Sequence, residues 1–237
     1  MYKTVLLFLI VISFTSCKQE KVTPKVRYEA TSKEKKEVKI DTTQISVADL
    51  PLNFDGTNFL IHPIGNLNSV GRNLAYDYSS SNEDQSFTIS NTNDYQITGY
   101  LSNLKFQQIN SDSLTVLSTK PILIETATFL KSFSDKNKVQ IMVYTLSDQD
   151  TNMDGKLDGK DIKSLYLSDI NGTRFTKISP NLNELLDWNC IDATSKLYFR
   201  TIEDSNKNGA FDKNDIVHYH FVNLASKDWK VEEYKVI

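Results

Sequence analysis

Cysteine and histidine are scarce in this chain: two cysteines and three histidines among 237 residues. His218 and His220 in "VHYHF" share one strand face, a spacing that can hold zinc, but only His62 and Cys190 remain as further ligands. The plainer reading is a pair of exposed strand histidines. A charge excess is also missing. Lys and Arg number 27 against 30 Asp and Glu, a formal charge of −3, and no basic patch with interleaved aromatics is present, which argues against a nucleic-acid protein. There is no G-x-S-x-G, no H-E-x-x-H and no Gly-rich phosphate loop. A carboxylate pair for glycoside hydrolysis is a spatial arrangement that no linear motif reports, so a hydrolase stays open. Beyond the N-terminus there is no long apolar run to enter a bilayer.

The N-terminus reads "MYKTVLLFLIVISFTSC". Lys3 precedes an apolar run from Val5 to Ile12, too short for a permanent membrane span and suited to the h-region of a secretory signal. The stretch "FTSC" resembles a bacterial lipobox, with Phe14 where an aliphatic residue is usual. The resemblance implies a signal peptide over residues 1–16, with Cys17 lipidated and tethered to a membrane of the bacterial envelope, periplasmic or surface-facing. With Cys17 carrying lipid, no disulfide forms, and Cys190 in "LLDWNCIDATSKLYF" is read as a small buried apolar residue.

Residues 17–46 are rich in Lys and Glu, poor in aromatics and without hydrophobic period, so they are expected to be a flexible tether. Residues 47–237 then form one domain with a sizeable core. Period-two patterning dominates it. "NFLIHPI", "DYQITGYL", "LKFQQI", "SLTVLS", "KVQIMVYTL", "IKSLYLSD", "TRFTKIS", "KLYFRTI", "DIVHYHFVNL" and "WKVEEYKVI" read as strands separated by Asn, Asp, Ser and Gly clusters. "PILIETATFLKSF" suits helix or strand equally, and "NLNELLDW" a short turn of helix. The expected class is all-β with minor helix.

Two stretches repeat, over about 139–180 and 193–237, with Asp150 aligning on Asp204 at an offset of 54 residues. Each runs strand, acidic loop, strand, turn, strand, and Phe175 matches Trp229. "LYLSDINGTRFTKISP" resembles blades of TolB-like propellers, which implies blade-like β-hairpin repeats and an accessory role in an envelope complex. Two or three units are too few for a closed propeller, so an open array or a sandwich is the other arrangement.

The acidic loops carry the chemistry. In "DTNMDGKLDGKD", Asp150, Asn152 and Asp154 occupy positions 1, 3 and 5 of an EF-hand loop. Gly155, Lys156, Leu157, Asp158 and Asp161 fall at 6, 7, 8, 9 and 12. The second copy places Asp204, Asn206, Asn208, Gly209, Ala210, Phe211, Asp212 and Asp215 in the same slots. Calcium takes six to eight hard oxygens; alternate Asp and Asn side chains supply three, glycine allows the sharp turn, and position 7 offers its main-chain carbonyl. Two calcium sites are expected. Position 12 is Asp instead of a bidentate Glu, a departure shared with the dockerin loops that the pair resembles, and the backbone must come closer. The flanks are strand-like, so the loops should cap β-hairpins, with calcium as a staple. The first loop has four ligand-position carboxylates and the second three, so the first should bind tighter. The expected function is a non-enzymatic calcium-binding envelope lipoprotein whose partner is an envelope protein or glycan; the alternative is a calcium-stabilised exported hydrolase of polysaccharide or peptide.

Overall fold

The computed structural model describes residues 24–28, 45–66 and 88–237. The signal segment, Cys17 and the expected tether apart from residues 24–28 and 45–46 lie outside these residues. Among the described residues no helix is long and apolar enough to cross a membrane.

Among the described residues, fourteen strands and one α-helix make up the fold. The first seven strands are β1 Ser46–Ala48, β2 Leu52–Asn53, β3 Phe59–Asn66, β4 Ser90–Asn93, β5 Gln96–Gln108, β6 Leu114–Val116 and β7 Leu123–Phe129. After α1 (Lys131–Asn137) come β8 Ile141–Ser147, β9 Ser164–Asp169, β10 Thr176–Lys177, β11 Asn183–Ile191, β12 Lys196–Glu203, β13 Ile216–Asn223 and β14 Val231–Glu233. Every pairing is antiparallel. One sheet has ten strands along the path β1-β3-β5-β7-β8-β9-β10, with β2, β4 and β6 beside it; the other is β11-β12-β13-β14. The all-β expectation holds. The described strands form these two sheets and no ring of separate blades.

The repeat is visible as two four-stranded meanders, β7–β10 and β11–β14. In each, the acidic loop joins the second strand to the third. Loop 1 leaves the end of β8, and all seven residues of β8 are buried. Period-two alternation sends Ile141 and Val143 into one core with Leu165, Leu197, Phe199 and Val222. Met142, Tyr144 and Leu146 enter another with Ile61, Leu101, Phe106 and Ile124. A strand covered on both faces gives a rigid root for the loop it carries.

Two local readings change. "NLNELLDW" is not helical: it forms most of β11, paired with β12. A bulge there, between Leu185 and Asp187, buries Leu185 and exposes Leu186, and such adjacent leucines mimic a helical face. "PILIETATFLKSF" divides into strand β7 and helix α1, which ends at Lys138 in the left-handed conformation with its N–H on the Ser134 carbonyl.

Candidate metal centres

Each loop is wound on its own amides. In loop 1 the Asp150 carboxylate accepts from the N–H groups of Asp154 (3.1 Å) and Gly155 (2.7 Å). Asn152 Oδ1 accepts from Asp154 N–H at 2.9 Å, Asp154 from Lys156 at 2.9 Å, and Asp158 from Lys160 at 2.8 Å. Asp161 then closes the ring: one oxygen takes the Thr151 N–H at 2.8 Å, the other the Asp158 N–H at 2.9 Å. Gly155 stands at φ +86°, a turn that its missing Cβ permits.

Loop 2 repeats this pattern slot for slot. Asp204 accepts from Asn208 (3.1 Å) and Gly209 (2.6 Å), Asn206 from Asn208 (2.9 Å), Asn208 from Ala210 (2.7 Å) and Asp212 from Asn214 (2.8 Å). Asp215 bridges Ser205 N–H at 3.0 Å and Asp212 N–H at 2.8 Å. Gly209 has φ +84°. The Asp at position 12 thus reaches across the loop with both oxygens, which draws the two ends together. The flanks are strands, as expected. Leu157 and Phe211 at position 8 are half-buried.

Seven carboxylates stand in the two loops, and among the described residues none is ion-paired, although Lys and Arg elsewhere pair with Asp148, Asp169, Asp187, Asp192, Glu125 and Glu184. Asp161 is 1 % exposed. Burial pushes its carboxyl above the usual range; N–H donations from Asp158, Thr151 and Asn152 oppose this, and the charge of Asp150 adds to it. Buried anions without a cation are costly. No three His, Cys, Asp or Glu side chains among the described residues converge closely enough to hold an ion by themselves. A cation here would need the neutral oxygens of Asn152, Asn206 and Asn208 and the main-chain carbonyls of Lys156 and Ala210 as well. Such an all-oxygen set suits a hard cation.

No family model matches the chain, and no curated protein or solved structure matches it. The loops must be judged on their own geometry.

That geometry includes five residues from the stretch expected to be tether. Residues 24–28 pack between the two loops. Lys25 and Val26 N–H both donate to the Gly209 carbonyl, at 2.7 and 3.2 Å; Arg27 N–H donates to the Thr151 carbonyl at 2.9 Å. Thr151 Oγ1 returns a bond to the Lys25 carbonyl at 2.8 Å. Val26 is 2 % exposed. Lys25 Nζ meets Glu184 Oε1 at 2.6 Å, while Glu184 Oε2 accepts the Lys163 N–H at 2.9 Å. Burial and a hydrogen bond to Asp204 push the Tyr28 phenol up to about 12. Neither Thr151, Glu184 nor residues 24–28 had been singled out from the sequence. Five residues are too few for a hydrophobic period, and position 2 of the loop carries no signature.

The other candidates are occupied. His218 and His220 do share a face, their rings 6.1 Å apart. His220 is buried on Phe199 and bonds Thr201 at 3.1 Å. His218 sits between Glu233 (2.8 Å) and Glu203 (3.0 Å), and those two hydrogen bonds hold its imidazole above the usual range against the effect of burial. His62 bonds Gln107 at 3.0 Å. Cys190 is half-buried, and burial followed by the neighbouring Asp192 pushes its thiol up to about 12, which leaves little thiolate. A shallow cleft of about 420 Å³ is lined by Asp135 and Asp169 among others. Lys131 clamps Asp135 at 2.6 Å; Arg174 Nε reaches Asp169 at 2.8 Å and, against burial, holds that carboxyl below its usual range. Asp169 is thus held away from the raised pKa that the acid in glycoside hydrolysis needs.

Proposed function

We propose that the protein is a calcium-binding envelope lipoprotein, a non-enzymatic binding or scaffold module whose two acidic loops are stapled by calcium at the ends of β-hairpins. The observation that supports this most is the pair of loops with one hydrogen-bond skeleton and seven carboxylates that no described cation neutralises. When bound, calcium supplies that neutralising charge. Asp150 and Asp204 hold the turn, the Asn side chains and the carbonyls of Lys156 and Ala210 complete the oxygen set, and Asp161 and Asp215 close each ring. Extracellular modules of this kind work at Kd values around 10⁻⁴–10⁻³ M. The lipobox-like "FTSC" places the lipid at Cys17 and the protein at a bacterial membrane, with an envelope protein or glycan as partner.

Thermal melting with and without calcium tests the staple. A ligand that binds only the native state adds about 2.7 kcal/mol at a hundredfold excess over Kd. The Tm should rise with calcium while the far-UV circular dichroism stays that of a β protein. A Tm indifferent to millimolar calcium, or a large gain of helix, overturns the reading.

A further inference from the structure

Residues 24–28 grip the loops at points interleaved with the ligand positions. Thr151 lies between positions 1 and 3 of loop 1, and Gly209 between positions 5 and 7 of loop 2. Glu184, the latch for Lys25, also holds the amide of Lys163 just past Asp161. The segment thus touches the entry of one ring and the turn of the other, and reaches the exit of the first through Glu184. Its partners are mostly main-chain carbonyls and a hydroxyl. Neither Lys25 nor Arg27 forms an ion pair with a loop carboxylate, so the segment does not compete with a cation for those charges. Tyr28 stands near Asp204, and a carboxylate has about four acceptor sites, so a neighbouring phenol leaves Asp204 able to hold a cation as well.

We propose that residues 24–28 form a strap whose docking is linked to calcium occupancy of both loops. Loading either loop fixes the carbonyl or hydroxyl that the strap needs; a docked strap in turn presents the second loop already ordered, so the two sites bind cooperatively. This rests on the calcium reading of the loops. Two surfaces that each lose motion on binding stabilise one another without any large structural change. Linkage is reciprocal: the factor by which calcium shifts the strap's docking equilibrium equals the factor by which the docked strap strengthens calcium binding.

Hydrogen exchange read by mass spectrometry on the full chain, with calcium chloride as the probe, tests this alongside a calcium titration. The amides of Lys25, Val26 and Arg27 should exchange on the order of tenfold more slowly when calcium is bound. Val26→Asp, which puts a charge at the buried contact, should weaken calcium binding by a matching factor and remove cooperativity. Lys25→Met, which cuts only the Glu184 latch, should do so in part and keeps the test usable if the first variant folds poorly. Two calcium ions bound with unchanged exchange, or unchanged affinity in both variants, overturns the strap and leaves the calcium reading standing. Faster exchange with calcium means that the strap competes with the ion, and also overturns it. No calcium binding at all removes the reading beneath it.

Discussion

Loop 1 and loop 2 share seven hydrogen bonds in the same slots, yet their surroundings differ. In loop 1, Thr151, Asn152 and Asp161 are buried; in loop 2 the equivalent Ser205 and Asn206 are exposed and Asp215 is only half-buried. The roots explain this. Loop 1 grows from β8, covered on both faces, whereas β12 alternates between buried and open residues along most of its length. The glycines show the reverse pattern. A Cβ on Gly155 would meet nothing within 4 Å, but on Gly209 it would stand 2.4 Å from the Val26 carbonyl and 2.7 Å from Pro24 Cβ. The short Asp/Asn/Gly grammar decides the skeleton, and the sheet and strap decide how dry and how crowded each copy is.

The largest effect should come from the ring closures. Asp161→Ala orphans the amides of the buried Thr151 and the half-buried Asp158, and a buried unsatisfied group costs about 1–3 kcal/mol. We expect a loss of about 3 kcal/mol in urea unfolding without calcium. Asp215→Ala frees equivalent amides to solvent and should cost about 1 kcal/mol. Equal costs would mean that the two environments do not differ energetically.

Next come the glycines. Alanine at φ near +85° costs about 1 kcal/mol at either site. Gly209→Ala must also displace the Val26 carbonyl, so its Tm should fall roughly twice as far as that of Gly155→Ala. An equal fall would show that the strap yields freely.

A smaller difference concerns affinity. Loop 1 carries Asp150, Asp154, Asp158 and Asp161, loop 2 only Asp204, Asp212 and Asp215, and carboxylate count tunes such sites. Calorimetry should find tighter calcium binding by Asp204→Ala, which keeps loop 1, than by Asp150→Ala. The opposite order would give loop rigidity the upper hand over charge.

The skeleton was legible because its chemistry is local: each Asp or Asn bonds amides a few residues away, so spacing alone reports it. Ten period-two segments report nine strands, because "DYQITGYL" and "LKFQQI" are one strand, β5. Bulges hid the rest. Between Ile124 and Thr126 the register shifts, so the buried Ile122, Ile124, Ala127 and Phe129 lose strict alternation and mimic a helix. The docking of residues 24–28 depends on carbonyls more than a hundred residues away, which no local pattern encodes.

The smallest effect sits beside loop 2. Glu233 and Glu203 raise the His218 pKa in the folded state, so its stabilisation is complete below about pH 6.5 and is lost as pH rises through the folded value. The stability difference between the wild type and His218→Gln should therefore shrink as pH climbs above about 6.5. His220 is shifted the opposite way, first by burial, which is common to both proteins, and in smaller part by the His218 charge, which the substitution removes. A difference flat across this range would remove the charged bridge.

Isothermal titration of calcium into the full chain tests the central claim most directly. Two sites are predicted for the wild type, one for Asp150→Ala, one for Asp204→Ala and none for the double variant. A wild type that binds no calcium, or a double variant that binds as the wild type does, would contradict the assignment of these loops as metal centres.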